Sequence, residues 1–211
     1  MKYRLVGSEM CIRDSIVTIK NKKTLNTVII IPARIDSSRL KKKLLRNISG
    51  LPMIVRVAQN AENLKMGRVI VGTDSREIYN ECEKNNLEAM MTKSSHKSGT
   101  DRVYEVYKIL NKDFDLIINL QGDLPIFKKD LLEKTTKLFS DDSVDIGSAV
   151  CDLEDSEIND NNIVKARVVL DEYDEGFALD FMRTVDCTKN IYHHIGAVSY
   201  THLTLPTKQM V

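Results

Sequence analysis

Residues 27–43 read Thr-Val-Ile-Ile-Ile-Pro-Ala-Arg-Ile-Asp-Ser-Ser-Arg-Leu-Lys-Lys-Lys, an apolar run that leads directly into a loop rich in positive charge. The four β-branched residues at 28–31 predict a strand covered on both faces, because apolar runs replace alternation in such strands. Pro32 has no N–H to give to a sheet, so we expect it to end this strand. The loop that follows carries three cationic side chains, Arg34, Arg39 and Lys43. Guanidinium and ammonium groups at the carboxyl end of a strand predict a binding site for a polyphosphate.

Strands and helices alternate along most of the remaining chain. Apolar runs predict strands at 68–72, 87–91 and 116–120, and helical spacing predicts helices from Pro52 to a stop at Gly67 and over about 76–86, 100–110 and 128–139. Later strands are predicted at 144–150, 164–170 and 177–182, the last two joined by a turn at Asp174-Glu175-Gly176. This order predicts an α/β fold: a mostly parallel sheet flanked by helices, Rossmann-like, with a late antiparallel addition.

Both ends of the chain read as translated adapter DNA. Residues 10–15 (Met-Cys-Ile-Arg-Asp-Ser) are encoded by AGATGTGTATAAGAGACAG, and the reverse complement of that string encodes residues 198–203 (Val-Ser-Tyr-Thr-His-Leu). A sequence and its inverse at opposite ends indicate a transposon adapter from a sequencing library, so residues 1–15 and 197–211 are left out of the fold prediction. The expected native part is a single domain over 16–196, incomplete at its C-terminus.

Composition excludes several classes of partner. The 31 lysines and arginines are balanced by 30 aspartates and glutamates, and this near-neutral charge without a long basic stripe argues against nucleic acid. No apolar run approaches the roughly 20 residues of a membrane-spanning helix, so no membrane partner is expected. Outside the two ends the cysteines are Cys82, Cys151 and Cys187. Their odd number and wide spacing favour reduced thiols in a cytoplasmic protein.

Two further loops at predicted strand ends carry polar groups. Residues 96–102 read His-Lys-Ser-Gly-Thr-Asp-Arg, where Gly99 permits close backbone approach and Ser98 or Thr100 can cap the next helix. Residues 121–123 read Gln-Gly-Asp. A lone carboxylate directly after a buried strand suits Mg²⁺, since that ion takes one or two carboxylates and completes its shell with phosphate oxygens and water. A basic clamp beside a metal carboxylate predicts transfer at a phosphate.

Eight short motifs follow one another along residues 27–196: Ile-Ile-Pro-Ala-Arg (30–34), Pro-Met-Ile (52–54), Gly-Thr-Asp (72–74), His-Lys-Ser-Gly-Thr-Asp-Arg (96–102), Gln-Gly-Asp-Leu-Pro (121–125), Asn-Ile-Val-Lys (162–165), Phe-Met-Arg (181–183) and His-Ile-Gly (194–196). In order and spacing they resemble the 3-deoxy-manno-octulosonate (Kdo) cytidylyltransferases, also called CMP-Kdo synthetases. The resemblance implies a nucleotidyltransferase fold, a cytoplasmic homodimer and Mg²⁺ as cofactor. It also implies transfer of CMP from CTP to the anomeric hydroxyl of Kdo, with release of pyrophosphate, for lipopolysaccharide synthesis.

The resemblance further implies roles for individual side chains. Arg34 and Lys43 would be the catalytic cations that hold the CTP phosphates. Asp123 would bind Mg²⁺. The CTP-binding set would comprise Arg34, Arg39, Lys43, Ser98, Gly99, Thr100 and Arg102. The set near the sugar acid would comprise Gln121, Arg183 and His194.

The chain departs from the family pattern in its basic loop. Family members continue Leu-Pro-Gly-Lys, whereas residues 40–43 read Leu-Lys-Lys-Lys, and Lys42 takes a positive φ less readily than glycine. Members also run further and bring a second metal-binding aspartate near their C-terminus. Two alternatives therefore stay open: a cytidylyltransferase for another ulosonic acid, such as an acylneuraminate, and a nucleotide-binding module without turnover.

Overall fold

The structure, a computed structural model, describes residues 3–7, 25–35, 40–185 and 189–201. The strands are β1 (Tyr3–Gly7), β2 (Thr27–Ala33), β3 (Asn47–Ile48), β4 (Leu51–Pro52), β5 (Arg68–Thr73), β6 (Ala89–Met91), β7 (Leu116–Leu120), β8 (Ile146–Cys151), β9 (Lys165–Val168), β10 (Glu175–Met182) and β11 (Ile191–Tyr200). The α-helices are α1 (Met53–Asn63), α2 (Arg76–Lys84), α3 (Gly99–Leu110) and α4 (Lys129–Lys137), and short 3₁₀ turns lie at Lys43–Leu45, Leu138–Ser140 and Asp155–Glu157.

The described residues form two compact units. One, here called the parallel unit, lies within Asn26–Lys129 and Tyr200–Val211. The other, here called the mixed unit, lies within Met1–Leu25 and Asp130–Ser199.

The parallel unit contains four strands in the order β6-β5-β2-β7, and every neighbouring pair is parallel. All seven residues of β2 are buried, as expected for a strand with helices on both faces. The buried residues of α1 recur at the helical spacing seen in the sequence: Ile54, Val55, Val57, Ala58 and Ala61. These findings confirm the predicted α/β class and its parallel sheet flanked by helices.

The prediction that Pro32 ends the first strand of this sheet was wrong. β2 continues through Pro32 to Ala33, and Pro32 pairs in register with Gly72 of β5. On its other side β2 pairs with β7 only as far as Ile30. From Pro32 onward β2 therefore has a paired neighbour on one side alone, and such an edge position tolerates a residue without an N–H.

The mixed unit contains the later strands in the order β11-β8-β1-β10-β9. β1 runs parallel to β8 and antiparallel to β10, while β9 is antiparallel to both β10 and β11. The predicted late antiparallel addition is therefore confirmed. β11 was not predicted from the sequence.

The turn between β9 and β10 lies earlier than predicted. The Asp171 side chain accepts hydrogen bonds from the N–H groups of Tyr173 (2.9 Å) and Glu175 (3.0 Å), and Asp174 has a φ of 59°. Gly176 already belongs to β10, where an added Cβ would lie 2.2 Å from the carbonyl oxygen of Val169. Glycine is needed there because two backbones approach closely, and the turn is made by the Asp171 carboxylate instead.

Both segments that the adapter prediction sets aside contribute to strands. β1 pairs along its whole length with β8, and β11 runs through Ala197 to Tyr200. That these ends are adapter-derived stays a prediction. Within the described ranges, no helix is long and apolar enough to cross a membrane. Cys82 and Cys151 are free thiols, whereas Cys187 falls outside the described residues.

Candidate active site

A pocket of about 570 Å³ lies in the parallel unit, beyond the carboxyl ends of β2 and β7. Its lining residues are Pro32, Arg34, Leu40, Lys43, Leu44, His96, Lys97, Ser98, Gly99, Arg102, Gln121, Gly122 and Asp123. Seven of the predicted site residues are thus brought together: Arg34, Lys43, Ser98, Gly99, Arg102, Gln121 and Asp123. Parallel strands place their following loops at one edge of the sheet, which explains how residues so distant in sequence meet. The lining carries four basic side chains and one carboxylate, a balance that suits a polyanionic ligand.

Lys43 and Asp123 form an ion pair inside this pocket. Lys43 Nζ lies 2.7 Å from Asp123 Oδ2, and the two side chains are 34% and 52% exposed. Water competes for a pair this accessible, so it contributes only about 0–1 kcal/mol. At little cost in free energy, Lys43 can therefore leave Asp123 to bind a phosphate, and Asp123 can leave Lys43 to bind a cation.

Lys42, next to this cation, occupies the left-handed region that the family pattern fills with glycine. Its φ is 51° and its ψ 36°, and its carbonyl accepts a hydrogen bond from Leu45 N–H at 3.0 Å. The side chain turns away to Glu77 on α2, with Nζ at 2.8 and 2.7 Å from the two carboxylate oxygens. The expected positive φ is therefore present, and a lysine adopts it.

The start of α3 is fixed by a capping box. Ser98 Oγ accepts a hydrogen bond from Asp101 N–H at 3.1 Å, and the Asp101 carboxylate accepts one from Ser98 N–H at 3.2 Å. Of the two predicted caps, Ser98 is the one used, and α3 begins at Gly99. Thr100 is buried within the first turn and is not among the pocket-lining residues.

Arg102 behaves differently from Lys43 although both line the pocket. It is 3% exposed, its Nη2 donates to Asp74 Oδ2 at 2.7 Å, and its Nη1 donates to Thr92 Oγ1. Removing one partner of a buried pair leaves an uncompensated charge and costs about 3–5 kcal/mol. The Arg102 guanidinium is therefore committed to protein partners. Sequence reasoning noticed Gly-Thr-Asp (72–74) but gave no signal that its aspartate pairs 28 residues further along.

His96 and Glu105 form a second pair that sequence reasoning missed. His96 Nε2 lies 2.5 Å from Glu105 Oε2, and Lys93 N–H donates to the same oxygen at 2.9 Å. Burial works to raise the pKa of Glu105, but the hydrogen bonds from His96 and Lys93 outweigh it and hold that pKa below its usual value. The pair fixes the loop that carries Lys97 and Ser98, both pocket-lining residues.

The donor set of the pocket fits Mg²⁺ supplied with a nucleotide. Among the described residues, no cluster of three or more His, Cys, Asp or Glu side chains could hold a metal by itself. Asp123 is the carboxylate in the pocket lining, and its oxygens are accessible. One carboxylate suffices for Mg²⁺ when phosphate oxygens and water fill the other positions.

Arg183 and His194, predicted near the sugar acid, lie in the mixed unit. Arg183 Nη1 donates to the backbone carbonyls of Asn161 (3.0 Å) and Asn162 (3.2 Å). His194 Nε2 lies 2.8 Å from Ser148 Oγ, and burial, aided by the neighbouring His193, lowers its pKa to about 4. His194 is therefore neutral at neutral pH. Arg39, the third basic residue predicted in the loop, falls outside the described residues.

Comparison with known proteins places these features in a family. The cytidylyltransferase family model matches residues 28–190. The chain is 38% identical over 184 residues to a 3-deoxy-manno-octulosonate cytidylyltransferase of Brucella anthropi, covering 84% of this chain and 74% of that protein. It is 39% identical over 181 residues to a 3-deoxy-manno-octulosonate cytidylyltransferase of Nitrobacter hamburgensis, covering 82% of this chain and 69% of that protein.

Solved structures agree with this assignment. The fold matches CMP:2-keto-3-deoxy-manno-octonic acid synthetase complexed with CTP at a TM-score of 0.71 and 31% identity, covering 83% of this chain and 73% of that one. A 4-diphosphocytidyl-2C-methyl-D-erythritol synthase from Anaerococcus prevotii shares the fold alone, with a TM-score of 0.55 at 14% identity. The family match over 28–190 and these relatives confirm the resemblance seen in the motifs. The chain belongs to the cytidylyltransferase family, among the 3-deoxy-manno-octulosonate cytidylyltransferases.

Proposed function

We propose that this protein transfers CMP from CTP to the anomeric hydroxyl of Kdo, giving CMP-Kdo and pyrophosphate. The observation that carries the proposal is the convergence of Arg34, Lys43 and Asp123 on one pocket beside the start of α3. Two cations with solvent access and one accessible carboxylate match a nucleoside triphosphate and its metal. Relatives that share 38% and 39% identity with the chain are named for this activity.

The reaction requires the protein to position the two substrates and to stabilise negative charge. The anomeric hydroxyl attacks the α-phosphorus in line, a new C–O–P bond forms, the bond to pyrophosphate breaks, and the hydroxyl proton leaves to solvent. Arg34 and Lys43 would bind the phosphate oxygens and stabilise the charge that grows on the departing pyrophosphate. Lys43 is suited to this because its present partner, Asp123, is exposed enough to be exchanged.

Mg²⁺ is part of the proposal, and Asp123 is the residue that would hold it. When bound, the ion would neutralise phosphate charge and polarise the reacting phosphoryl group. Asp123 and Lys43 are within hydrogen-bond distance of each other, so the pocket keeps a cation and a carboxylate side by side. We further propose that the protein acts as a cytoplasmic homodimer in lipopolysaccharide synthesis.

We propose that Gln121 contributes to recognition of the sugar acid, whereas the roles that the family resemblance implies for Arg183 and His194 of the mixed unit stay predictions. Gln121 lines the pocket, and its Nε2 donates to Asn119 Oδ1 at 3.2 Å, so its carbonyl oxygen is left to accept from a ligand.

The test is pyrophosphate release from CTP in the presence of Kdo or, separately, an acylneuraminate, with and without Mg²⁺. We expect release with Kdo and Mg²⁺ only. Release with the acylneuraminate would move the assignment to a sister enzyme. CTP binding without release from either acid would favour a binding module.

A matched pair of variants identifies the phosphate cation. Lys43→Ala should weaken CTP binding at least tenfold, about the value of one charge-assisted contact. Lys84→Ala removes a lysine that pairs with Glu81 at 3.4 Å on the surface of α2, and it should leave binding unchanged. Equal affinities of the two variants would remove Lys43 from the site.

A further inference from the structure

We infer that Asp74, Arg102 and Thr92 form a positioning device that holds the first turn of α3 against the strand ends. Arg102 then influences nucleotide binding through the placement of Ser98 and Gly99, and does not act as a phosphate ligand. This inference rests on the proposed function for its ligand, a cytidine nucleotide. It differs from the role that the family resemblance implies for Arg102.

The first step of the argument is that Arg102 joins three elements. It lies in the first turn of α3, Asp74 directly follows β5, and Thr92 directly follows β6. The two guanidinium nitrogens divide between these strand ends, Nη2 to Asp74 Oδ2 at 2.7 Å and Nη1 to Thr92 Oγ1. Thr92 N–H also donates to the carbonyl of Thr73 at 2.8 Å, which ties the two strand ends to each other. A planar guanidinium that bridges two fixed acceptors has little freedom to turn elsewhere.

The second step is that the carboxylate depends on Arg102. Asp74 is 13% exposed at its side chain, and its other oxygen, Oδ1, is buried without a hydrogen-bond partner among the described residues. If Arg102 moved to a ligand phosphate, a nearly buried carboxylate would lose its cation. Lys43 faces no such penalty, since its partner Asp123 is 52% exposed. Of the basic residues that line the pocket, Arg102 therefore holds the pocket wall, whereas Lys43 is available to bind the ligand.

The third step connects the helix to the pocket. An added Cβ at Gly99 would lie 3.3 Å from Pro32 Cγ and 3.6 Å from Gln121 Nε2, so the first residue of α3 packs against the ends of β2 and β7. Further along α3, Arg102 and Val106 pack on β5. An added Cβ at Gly72 of β5 would lie 2.7 Å from Val106 Cγ2 and 3.5 Å from Arg102 Cγ. A shift of α3 would therefore move Ser98 and Gly99, which line the pocket.

The experiment compares Asp74→Asn and Thr92→Val with a control, Glu88→Gln, in the full chain. Asp74 is absent from the pocket lining, so its substitution removes no ligand contact. Glu88 holds Arg68 through two hydrogen bonds, one of 2.8 Å, near the opposite end of β5, which makes it a more exposed Arg–carboxylate pair away from the pocket. Affinities for cytidine, CMP and CTP are measured by calorimetry.

A positioning role predicts that Asp74→Asn weakens all three ligands by the same factor, at least about tenfold. Thr92→Val, which keeps the shape of the side chain, should weaken them equally but by a smaller factor, and Glu88→Gln should change none. A phosphate-binding Arg102 predicts the opposite sign, because Asp74→Asn would release the guanidinium and tighten CTP while leaving cytidine unchanged. That outcome would overturn the inference.

Hydrogen exchange without nucleotide separates this inference from the proposed function. We expect faster exchange of the Asp101 amide, which Ser98 Oγ protects, in Asp74→Asn and Thr92→Val but not in Glu88→Gln. Unchanged exchange in both variants refutes the positioning role. A wild-type chain that binds no CTP refutes the proposed function, while the exchange result still decides the role of Arg102. If Asp74→Asn does not fold, Thr92→Val carries both measurements.

Discussion

The left-handed backbone at Lys42 allows a quantitative test of the basic loop. At a φ of 51° and ψ of 36°, any residue with a Cβ is strained, by about 1–2 kcal/mol. Lysine also gains an ion pair with Glu77, but both side chains are 57% exposed, and such pairs contribute only about 0.2–1 kcal/mol. We therefore compare the free energies of unfolding of Lys42→Gly and Lys42→Ala.

Both variants lose the ion pair, so their difference reports the backbone alone. Glycine relieves the strain but gains about 0.4–1 kcal/mol of entropy in the unfolded chain. The net expectation is that Lys42→Gly is about 0.5–1 kcal/mol more stable than Lys42→Ala. Glu77→Gln, which removes the pair and keeps the lysine, should cost at most about 1 kcal/mol and lose its effect in high salt.

Urea unfolding followed by circular dichroism measures these differences. Asn111, at the C-terminal end of α3, has a φ of 44° and provides the control. Asn111→Gly should be more stable than Asn111→Ala by a similar free energy of unfolding, although no lysine is replaced. If Lys42→Ala proved as stable as Lys42→Gly while the Asn111 pair differed, the reasoning about the loop would be refuted.

Three further predictions concern packing, protonation and charge. Gly72→Ala should lower the free energy of unfolding by about 1–3 kcal/mol in urea titrations, because the new Cβ would meet Val106 at 2.7 Å; an undiminished penalty in a Val106→Ala background would contradict this cause. Burial, aided by His193, lowers the pKa of His194 from its ordinary value of 6.5 to about 4 in the folded chain, so between these values the unfolded chain binds the extra proton. The free energy of unfolding should therefore rise by up to about 3 kcal/mol as pH increases from 4 to 6.5. His194→Gln should remove that part of the slope, and identical pH profiles would show that the histidine is not responsible. Asp123→Asn should abolish Mg²⁺-dependent pyrophosphate release yet bind CTP at least as tightly as wild type in EDTA, since a negative charge leaves the pocket; near-normal turnover would remove Asp123 from the site.

Much of the architecture was readable from local sequence because local rules determine it. The β-branched run of β2 indicates burial on both faces, and the helical spacing of Ile54, Val57 and Ala58 in α1 indicates one buried face. The turn at Asp174-Glu175-Gly176 failed for the opposite reason, because composition does not say whether a glycine serves a turn or a close approach of two backbones. The prediction that Pro32 ends β2 was wrong because the neighbouring strand Leu116–Leu120 stops pairing before Pro32, which allows β2 to contain a residue without an N–H.

The motifs likewise predicted which residues gather but not how they pair. By itself the sequence determined the class of the fold, the four helices and the parallel strands of one unit, and the three loops at the strand ends, since these follow from periodicity and from the parallel arrangement. Only the tertiary structure decided that Arg102 is held by Asp74 and Thr92 while Lys43 stays exchangeable beside Asp123. The physical reason is solvent access: two cations of similar charge differ in availability because one is buried with its partners and the other is open to water.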